Sequence, residues 1–529
     1  MRESHRIQED HRTLKGTDVK LNIVARAFPA AVRRHLTKRH AAAGAVVLLA
    51  LAAQRSPLQA EESSKANVLL ITIDDLNDWV GCLGGHPQSL TPKLDALARR
   101  GVLFTNAHCN APICNPSRVS FMTGVRPSTS GIYLNGHQFR SRTSRVRSAV
   151  TLPQHFAENG YETLGCGKLF HGSRGKDNFQ TYGPAGGQGP LPEKRLNCPP
   201  EASRSKLWDW GVFPGEEGES YNDVADARWA AERLAEEREK PFLLGCGFYR
   251  PHVPFYAPQR FFDRHPRSAV KLPEVLDSDR DDIPPFALKL TDNPLPPGHG
   301  WFVRSGQWRH AVQSYLACVS FTDDNIGKVV AALDAGPHAD DTWIVLLSDH
   351  GFFLGEKQRW AKQALWERAT RVPLIIVPPR NRAGEFAAVG KRCAQPVELL
   401  SIYPTLAEVC GLPGRPRQLE GHSLVPLLKD PGADWPHLAV TTHNGDNHAV
   451  RDSRHRYIRY SDGSEELYDL EADPKEWKNL AGDPGKRAVI KKLARAIPGS
   501  VASPPEPAAR RARRRPARTV QPSGAAKNG

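Results

Sequence analysis

The sequence lacks the cysteine spacings, long hydrophobic runs and internal repeats that identify several classes of protein. Its nine cysteines include no CxxC pair and no zinc-type spacing, which argues against a cysteine-based zinc site. The longest apolar run, residues 41–53, is too short to cross a bilayer comfortably. No segment repeats at a fixed period, which argues against a repeat protein. What remains is a globular chain of 529 residues, long enough for more than one domain.

The central part of the chain has almost no net charge. The whole sequence carries +15, but residues 1–60 hold 11 Lys/Arg against 4 Asp/Glu, and residues 501–529 hold 7 against 1. Residues 61–500 therefore account for only +2. Because most of the excess positive charge lies in the two ends, we predict no nucleic-acid partner. A near-neutral core with local cationic pockets suits a small anionic substrate better.

The two ends of the chain are predicted to lie outside the folded domains. Basic residues precede the apolar run 41–53, and small and polar residues follow it, in the proportions of a signal peptide. We therefore predict an export segment over 1–60, a periplasmic or secreted protein, and no stable membrane span after cleavage. The alternative for the apolar run is a buried Ala-rich helix. Residues 501–529, rich in Pro, Ala and Arg, predict a disordered basic tail.

Apolar runs alternate with helical patterns between residues 66 and 440. Residues 92–100 and 223–237 carry apolar residues at helical spacing. The alternation predicts a doubly wound, mostly parallel α/β sheet in a domain over 66–440. A stretch rich in Gly, Pro and charge, 172–218, predicts a long surface loop. The β-prone runs that predict strands buried on both faces are 68–73, 242–248, 343–347 and 374–377.

The pattern changes after residue 440. Two alternating stretches, 457–460 and 466–470, flank Asp462-Gly463, which is a hairpin signal. A helix is predicted to follow over 489–497. These elements predict a smaller C-terminal α+β subdomain over 441–500.

Acidic residues follow two of the predicted strands. Asp74 and Asp75 end the first strand, and Asp349 and His350 follow the strand at 343–347. Open α/β sheets place ligands at the carboxyl ends of their strands, where three carboxylates would repel each other without a cation. Oxygen ligands favour Ca²⁺ or Mg²⁺, whereas the imidazole of His350 is also compatible with Mn²⁺ or Zn²⁺. The alternative for the Asp-Asp pair alone is a turn that ends a strand.

Cys114 begins the segment Cys-Asn-Pro-Ser-Arg at 114–118, and Thr123-Gly124 follows it. Taken alone, such a cysteine could be a small buried side chain beside a turn. The segment nevertheless resembles the signature of the type I, formylglycine-dependent sulfatases, a C-x-P-S-R core followed by a T-G pair. The resemblance implies an alkaline-phosphatase-like fold. Further segments that resemble the iduronate-2-sulfatase-like branch of this family are 167–171, 250–255, 349–350 and 360–362.

The resemblance implies a role for each matched residue. In this family a maturation enzyme oxidises the signature cysteine to formylglycine, whose hydrate is the nucleophile, so formylglycine from Cys114 and a formylglycine-generating partner are implied. The implied ligands of one divalent cation, with Ca²⁺ expected, are Asp74, Asp75, Cys114, Asp349 and His350. The implied catalytic residues are Cys114, Arg118, Lys168, His171, His252 and Lys362.

The individual roles follow from the same resemblance. Arg118 is implied to orient and activate the hydrate, and His171 to support it. Lys168 and Lys362 are implied to bind the sulfate oxygens. His252 is implied to face the leaving oxygen, with Lys362 near it. Hydrolysis of a sulfate ester needs cations at these oxygens and a proton for the alkoxide, which these residue types supply.

The predicted function is therefore removal of sulfate from a sulfated carbohydrate, with a 2-O-sulfated uronic acid suggested by the branch. Two alternatives stay open at this point. One is a phosphomonoesterase or phosphodiesterase of the same superfamily, although the sequence shows no clear second set of metal ligands. The other is a protein that binds sulfated glycans without turning them over.

Overall fold

The computed structural model describes residues 65–172, 175–184, 186–213, 220–414 and 416–506. The predicted export segment over 1–60 lies outside these residues, as does the part of the predicted 501–529 tail from residue 507 onward. Residues 501–506 of that tail are described, and Ala502 exchanges hydrogen bonds with Ser128 and Tyr133 of the domain. Within the described part, none of the helices combines the length and the apolar character needed to cross a membrane.

The strands alternate with helices through most of the described chain. They are β1 (Asn67–Asp74), β2 (Val102–Phe104), β3 (Ala107–His108), β4 (Glu162–Gly167), β5 (Thr181–Tyr182), β6 (Trp210–Val212), β7 (Phe242–Pro251), β8 (Phe255–Ala257), β9 (Thr342–Ser348), β10 (Phe353–Leu354), β11 (Trp360–Ala361), β12 (Leu374–Val377), β13 (Arg392–Cys393), β14 (Val397–Glu398), β15 (Ala439–His443), β16 (Asn447–Arg451), β17 (His455–Arg459) and β18 (Glu465–Asp469).

The helices range from a single turn to 28 residues. They are α1 (Pro92–Arg100), α2 (Cys114–Thr123), α3 (Pro127–Ser130), α4 (Leu152–Glu158), α5 (Asn222–Leu234), α6 (Gln259–Asp263), α7 (Pro285–Thr291), α8 (His299–Arg304), α9 (Trp308–Ala335), α10 (Glu367–Thr370), α11 (Ile402–Val409), α12 (Val425–Lys429) and α13 (Arg487–Ala494). Short 3₁₀ helices are Lys176–Asn178, Arg267–Ala269, Glu356–Gln358, Arg380–Glu385, Leu399–Ser401 and Pro484–Lys486.

The main sheet has eight strands in the order β13-β2-β12-β9-β1-β7-β4-β5. β12 is antiparallel to both of its neighbours, and every other pairing in this sheet is parallel. The prediction of a doubly wound, mostly parallel sheet is therefore confirmed. The predicted strands at 68–73, 242–248, 343–347 and 374–377 are β1, β7, β9 and β12.

Successive residues of the central strands face two separate hydrophobic cores. In β1, Leu69 and Ile71 pack with side chains of α1, α5 and α9, whereas Val68 and Leu70 pack with those of α2, α4 and α11. All eight residues of β1 are buried, as expected for a strand covered by helices on both faces. The apolar, β-prone sequence of these strands thus reflects their place between two helical layers.

The C-terminal part folds as a four-stranded antiparallel sheet in the order β15-β16-β17-β18. One face packs on α13 through residues such as Val450 and Leu493. The other face packs on the first part of the chain, where Ile458 and Tyr468 meet Trp366. The predicted hairpin is formed by β17 and β18, and the predicted small C-terminal subdomain is present. Its predicted boundary at residue 440 stays a prediction.

The segment predicted as a long surface loop, 172–218, is more structured than expected. β5 extends the edge of the main sheet beside β4, and β6 pairs with β8 in a separate two-stranded sheet. These strands have only two and three residues, so their sequence shows no alternation that a pattern search would detect. The Gly and Pro residues that predicted a loop lie mostly outside these short strands.

Candidate active site

Four adjacent parallel strands end at one edge of the main sheet, and each supplies residues to a single cluster. Asp74 is the last residue of β1, Asp349 follows β9, Lys168 follows β4 and His252 follows β7. The four strands are neighbours in the order β9-β1-β7-β4. The sheet topology therefore brings together side chains that are far apart in the sequence, at the position where open α/β sheets bind their ligands.

Cys114 enters this cluster from the first turn of α2 and is fully buried. Its Sγ lies 3.2 Å from the Nζ of Lys362 and 3.3 Å from the Nε2 of His350. The side chain of His171 also hydrogen-bonds the sulfur. Ser117 is the last but one residue of the 114–118 segment. Its hydroxyl donates to the Asp349 carbonyl at 2.6 Å, which fixes α2 against the end of β9.

Arg118 lies behind the carboxylates, where it is fully buried. Its Nε donates to the Oδ2 of Asp349 at 2.8 Å, and its Nη2 is 3.6 Å from the Oδ1 of Asp74. Its Nη1 donates to the backbone carbonyl of Lys168. These contacts hold the two carboxylates and the lysine backbone in place. The predicted part of Arg118 in activating the formylglycine hydrate stays a prediction.

Lys168 reaches the cluster because the backbone before it makes a turn that only glycine accommodates well. Gly167 has φ of +69°, and a Cβ there would overlap the carbonyl oxygen of Gly247 on the adjacent strand. A Cβ at Gly247 would in turn overlap the backbone of Lys168. The ammonium group of Lys168 contacts Asp74 and lies 5.0 Å from the ring centre of Tyr249.

The two histidines each fix one ring nitrogen on a backbone carbonyl. The Nδ1 of His350 donates to the carbonyl of Gly351 at 3.0 Å, which leaves its Nε2 directed at Cys114. The Nδ1 of His252 donates to the carbonyl of Val253 at 2.6 Å. Its Nε2 lies 3.8 Å from the Oδ2 of Asp75. These backbone contacts set the orientation of both rings, so that one nitrogen of each is available to the site.

The close packing of charges shifts several pKa values. Burial alone would raise the pKa of the Cys114 thiol, but Lys168 and Lys362 hold it well below its ordinary value. Burial raises the pKa of Asp349 to about 6, against the opposing effect of the Arg118 guanidinium. Burial opposes the charge of His350, but Asp349 and the Cys114 sulfur together outweigh it and raise the pKa of this histidine to about 9. The cluster thus favours an anionic sulfur beside cationic nitrogens.

The donor set fits a divalent cation. Ligand atoms of Asp74, Cys114, Asp349 and His350 all lie within 4.8 Å of one another, as do those of Asp74, Asp75, Cys114 and His252. The Oδ1 of Asp74 and the Oδ2 of Asp75 are buried and have no hydrogen-bond partner. A buried carboxylate oxygen without a partner is costly, and a bound cation would satisfy both. Because the two ligand sets share Asp74 and Cys114, they describe one site among the described residues.

The cluster forms the floor of a cavity of about 570 Å³. This volume is typical of pockets for small ligands. Its walls include Trp208, Leu295 and Tyr249 together with polar groups such as Gln188 and Gln363. Asp75, Lys168, His171, His252 and Lys362 all line the cavity, so the cationic groups of the cluster face the space that a substrate would occupy.

The structure brings all ten predicted site residues into this one cluster. Three further residues support it that sequence patterns did not single out: Thr72, Ser117 as a helix anchor, and Tyr249. The hydroxyl of Thr72 donates to the Lys168 carbonyl at 3.2 Å and accepts from Arg118. Tyr249 lies between the predicted strand at 242–248 and the matched segment 250–255, and neither signal gave it a role.

Comparison with known proteins agrees with this geometry. The family model described as Sulfatase matches residues 66–412, and the model described as N-sulphoglucosamine sulphohydrolase, C-terminal, matches residues 355–501. A sulfatase of Formosa agariphila is 42% identical over 450 residues, covering 83% of this chain and 87% of that protein. Human iduronate 2-sulfatase is 32% identical over 421 residues, covering 71% of this chain and 74% of that protein.

A solved structure establishes the fold independently of these sequences. The phosphonate monoester hydrolase of Agrobacterium radiobacter superposes with a TM-score of 0.65 at 23% identity, over 81% of this chain and 94% of that chain. It shares the alkaline-phosphatase-like fold with this protein. The matching family model, the relatives and the fold agree: the chain belongs to the sulfatase family, related to the iduronate 2-sulfatases, and is a sulfuric ester hydrolase.

Proposed function

We propose that this sulfatase removes sulfate from a saccharide that carries a 2-O-sulfated uronic acid, through formylglycine formed from Cys114. The observation that carries the proposal is the surroundings of the Cys114 sulfur. Lys362 and His350 lie within 3.3 Å of it, beside buried carboxylate oxygens that have no partner. The relation to human iduronate 2-sulfatase supports the choice of sugar. Formylglycine requires a maturation enzyme, which we propose as a partner.

The cation belongs to the same proposal. Asp74, Asp75, Asp349 and His350, with the modified residue 114, would hold it, and we propose Ca²⁺ because three of the side chains offer carboxylate oxygens. When bound, the cation would supply Lewis-acid stabilisation of negative charge on the sulfate oxygens. Arg118 pairs with Asp349 and Lys168 with Asp74, which holds these two carboxylates in place.

The remaining residues have positions that suit distinct tasks. Lys168 and Lys362 present ammonium groups to the cavity floor, where they would bind sulfate oxygens as negative charge develops. His252 presents its Nε2 to the same space and would give a proton to the leaving sugar oxygen. His171 hydrogen-bonds residue 114 and would hold the attacking group. The formylglycine hydrate, when formed, supplies the attacking hydroxyl.

The test compares protein made with and without a co-expressed formylglycine-generating enzyme. The peptide that contains Cys114 is expected to show the aldehyde mass and to react with a hydrazide probe only in the first preparation. Turnover is then measured on a 2-O-sulfated uronate disaccharide, a 6-O-sulfated glucosamine, an aryl sulfate and an aryl phosphate. We expect the fastest turnover on the sulfated uronate.

Other results of this test would contradict the proposal. Full activity of a preparation whose Cys114 is still a thiol would remove the role of formylglycine. A faster rate on the aryl phosphate than on any sulfate would favour a phosphatase. Binding of the sulfated saccharides without turnover in the matured protein would favour a glycan-binding role.

We also propose that the protein is exported to the periplasm or secreted. The support is the signal-like pattern over 1–60, with basic residues before an apolar run of 13 residues, 41–53. Fractionation of cells that express the full chain, followed by N-terminal sequencing of the product, tests it. An intact N-terminus in the cytoplasmic fraction would contradict it.

A further inference from the structure

Lys362 lies in a backbone segment with an unusual conformation. Its two neighbours, Ala361 and Gln363, both have positive φ, of 77° and 67°. Neither is a glycine, and residues with a Cβ adopt this region at a cost in free energy. Two more residues of the preceding turn, Lys357 and Gln358, also have positive φ. Such a segment keeps its shape only where surrounding contacts hold it.

Arg359 supplies the most direct of these contacts. Its Nη2 donates to the backbone carbonyl of Lys362 at 2.6 Å. Its Nη1 donates to the carbonyl of Thr291, the last residue of α7. The guanidinium therefore joins the segment that carries Lys362 to the end of α7, from which Asn293 and Leu295 continue along the cavity wall.

The other side of the same segment is joined to the nucleophile. The backbone N–H of Gln363 donates to the carbonyl of Pro112 at 3.0 Å, two residues before Cys114. The Lys362 carbonyl and the Gln363 N–H belong to one peptide unit, which is thus held at both of its polar groups, by Arg359 and by Pro112. This arrangement explains how the Nζ of Lys362 is kept 3.2 Å from the Cys114 sulfur despite the unfavourable backbone conformation.

The charge of Arg359 is not used in an ion pair. Among the described residues no carboxylate oxygen lies within 4.0 Å of its guanidinium, and its Nε is buried without a hydrogen-bond partner. Burial and the nearby Arg280 lower the pKa of Arg359 to about 9. Arg359 is partly buried, and its guanidinium lies 5.5 Å from the ring centre of Phe353, but neither this ring nor the neutral carbonyls replace a counter-ion.

We propose that Arg359 is a positioning residue for the sulfatase reaction, which acts by fixing the Lys362 backbone between the end of α7 and the nucleophile segment. The inference rests on the proposed role of Lys362 at the sulfate and leaving oxygens. Arg359 itself is not among the residues that line the cavity. Its effect on the reaction is transmitted through the position of one ammonium group.

The test uses the matured enzyme and four variants, Arg359→Met, Arg359→Lys, Lys362→Ala and the double variant Arg359→Met/Lys362→Ala. Rates are measured on phenyl sulfate and on 4-nitrophenyl sulfate, which has a better leaving group. Arg359→Met is expected to lower kcat/KM on phenyl sulfate roughly 10- to 100-fold, as for a misplaced catalytic group, and less on the nitro compound. Arg359→Lys, which keeps a donor, is expected to restore part of the loss.

The double variant decides whether Arg359 acts through Lys362. If it does, the double variant is expected to match Lys362→Ala within about twofold. Losses that multiply would overturn the inference and leave the role of Lys362 intact. A Lys362→Ala variant with the wild-type rate would instead refute the proposed role of Lys362. It would also refute the positioning role of Arg359, which depends on it.

Hydrogen exchange gives a readout that does not depend on activity. Amides of residues 355–366 are expected to exchange faster in Arg359→Met than in the wild type, while the rest of the protein is unchanged. Arg140→Met is the matched control, because Arg140 also donates to two backbone carbonyls, those of Arg147 and Ala149, and does not line the cavity. Unchanged exchange in Arg359→Met would overturn the inference. This holds even if the folded variant hydrolyses sulfate esters more slowly than the wild type.

Discussion

Among the described residues, two of the clusters of buried charged side chains differ in how their atoms are arranged. In the active site, carboxylate, imidazole and sulfur atoms converge within 4.8 Å. The second cluster lies between the C-terminal sheet and the main part of the chain. In it, acidic side chains form ion pairs with basic ones. There the Nε of Arg456 lies 3.0 Å from Glu367 and 3.1 Å from Glu476, and Lys357 lies 2.9 Å from Asp279.

Both clusters shift pKa values, so a shifted pKa does not distinguish them. Burial raises the pKa of Glu476 to about 7, although it lies beside Arg456. Burial likewise raises that of Asp349 to about 6 in the active site. What differs is convergence: among the described residues, sets of three or more potential metal ligands meet only around Cys114. The comparison shows that ligand atoms directed at one point identify the functional cluster, whereas buried charge alone does not.

The largest effect is expected at the centre of the active-site cluster. Replacing Cys114 by Ala removes the group from which the nucleophile is made, and kcat/KM is expected to fall by about 10⁴-fold or more. The melting temperature is expected to change little, because the surrounding ion pairs remain. Cys109→Ala, at another buried cysteine five residues earlier, is the control and should keep most of the activity. Equal losses in the two variants would contradict the assignment.

The second cluster is expected to show the opposite behaviour. Arg456→Met removes the nearest cation from the partly buried Glu367, which keeps Arg451 at 3.6 Å, and from the buried Glu476, and this is expected to cost about 3–5 kcal/mol of unfolding free energy. The folded fraction should keep a kcat/KM close to that of the wild type. Urea unfolding and activity assays measure the two quantities. Arg454→Met, at a half-exposed arginine paired with Asp469, is expected to have a smaller effect on stability.

Cation binding is expected to be linked to pH through the active-site histidine. Because the pKa of His350 is raised to about 9, a cation must displace its proton at lower pH. Affinity for Ca²⁺ is therefore expected to rise about tenfold per pH unit from pH 6 to 9. Below pH 6 the dependence should steepen, since the pKa of Asp349 is about 6. Calorimetry across this range measures it.

The His350→Asn variant provides the control for this linkage. It keeps a polar side chain that does not titrate, so its affinity is expected to vary little between pH 6 and 9. A wild-type affinity that is flat over the same range would contradict direct competition between the proton and the cation.

The smallest effect is expected from the ring that lies beside Lys168. Tyr249→Leu removes a cation–π contact of 5.0 Å, which is worth about 0.5–1 kcal/mol, or roughly two- to fivefold in kcat/KM. Tyr249→Phe keeps the ring and loses only the hydroxyl, which donates to the Val253 carbonyl. The phenylalanine variant should therefore stay closer to the wild type. A loss in Tyr249→Phe as large as that in Tyr249→Leu would show that the hydroxyl, which both variants lack, accounts for the effect, and would contradict the role of the ring.

The fold was predictable from the sequence where local patterns are strong. Apolar runs identified the central strands, and the acidic residues that follow β1 and β9 identified the edge at which they meet. The contact between Lys362 and Asp75 joins residues 287 positions apart, so no local pattern contains it. The family resemblance assigned a role to each of the two residues, but it did not predict their contact.

Other features had no sequence signal of either kind. The two-residue strand β5 is too short for a period, and the guanidinium of Arg359 acts on backbone carbonyls, which are the same in every sequence. The cluster around Arg456 depends on the packing of the C-terminal sheet against the rest of the chain. These contacts are decided by tertiary structure, after the local elements have formed.

The close approach of Gly167, Gly247 and the Lys168 backbone has a consequence for engineering. Transplanting the ten site side chains onto another parallel sheet would not reproduce the close backbone approach that glycines on two neighbouring strands permit here. Bulkier residues at these glycines would push the lysine out of the site before any chemistry began. A transplanted active site would therefore need the two glycines as well as the polar side chains.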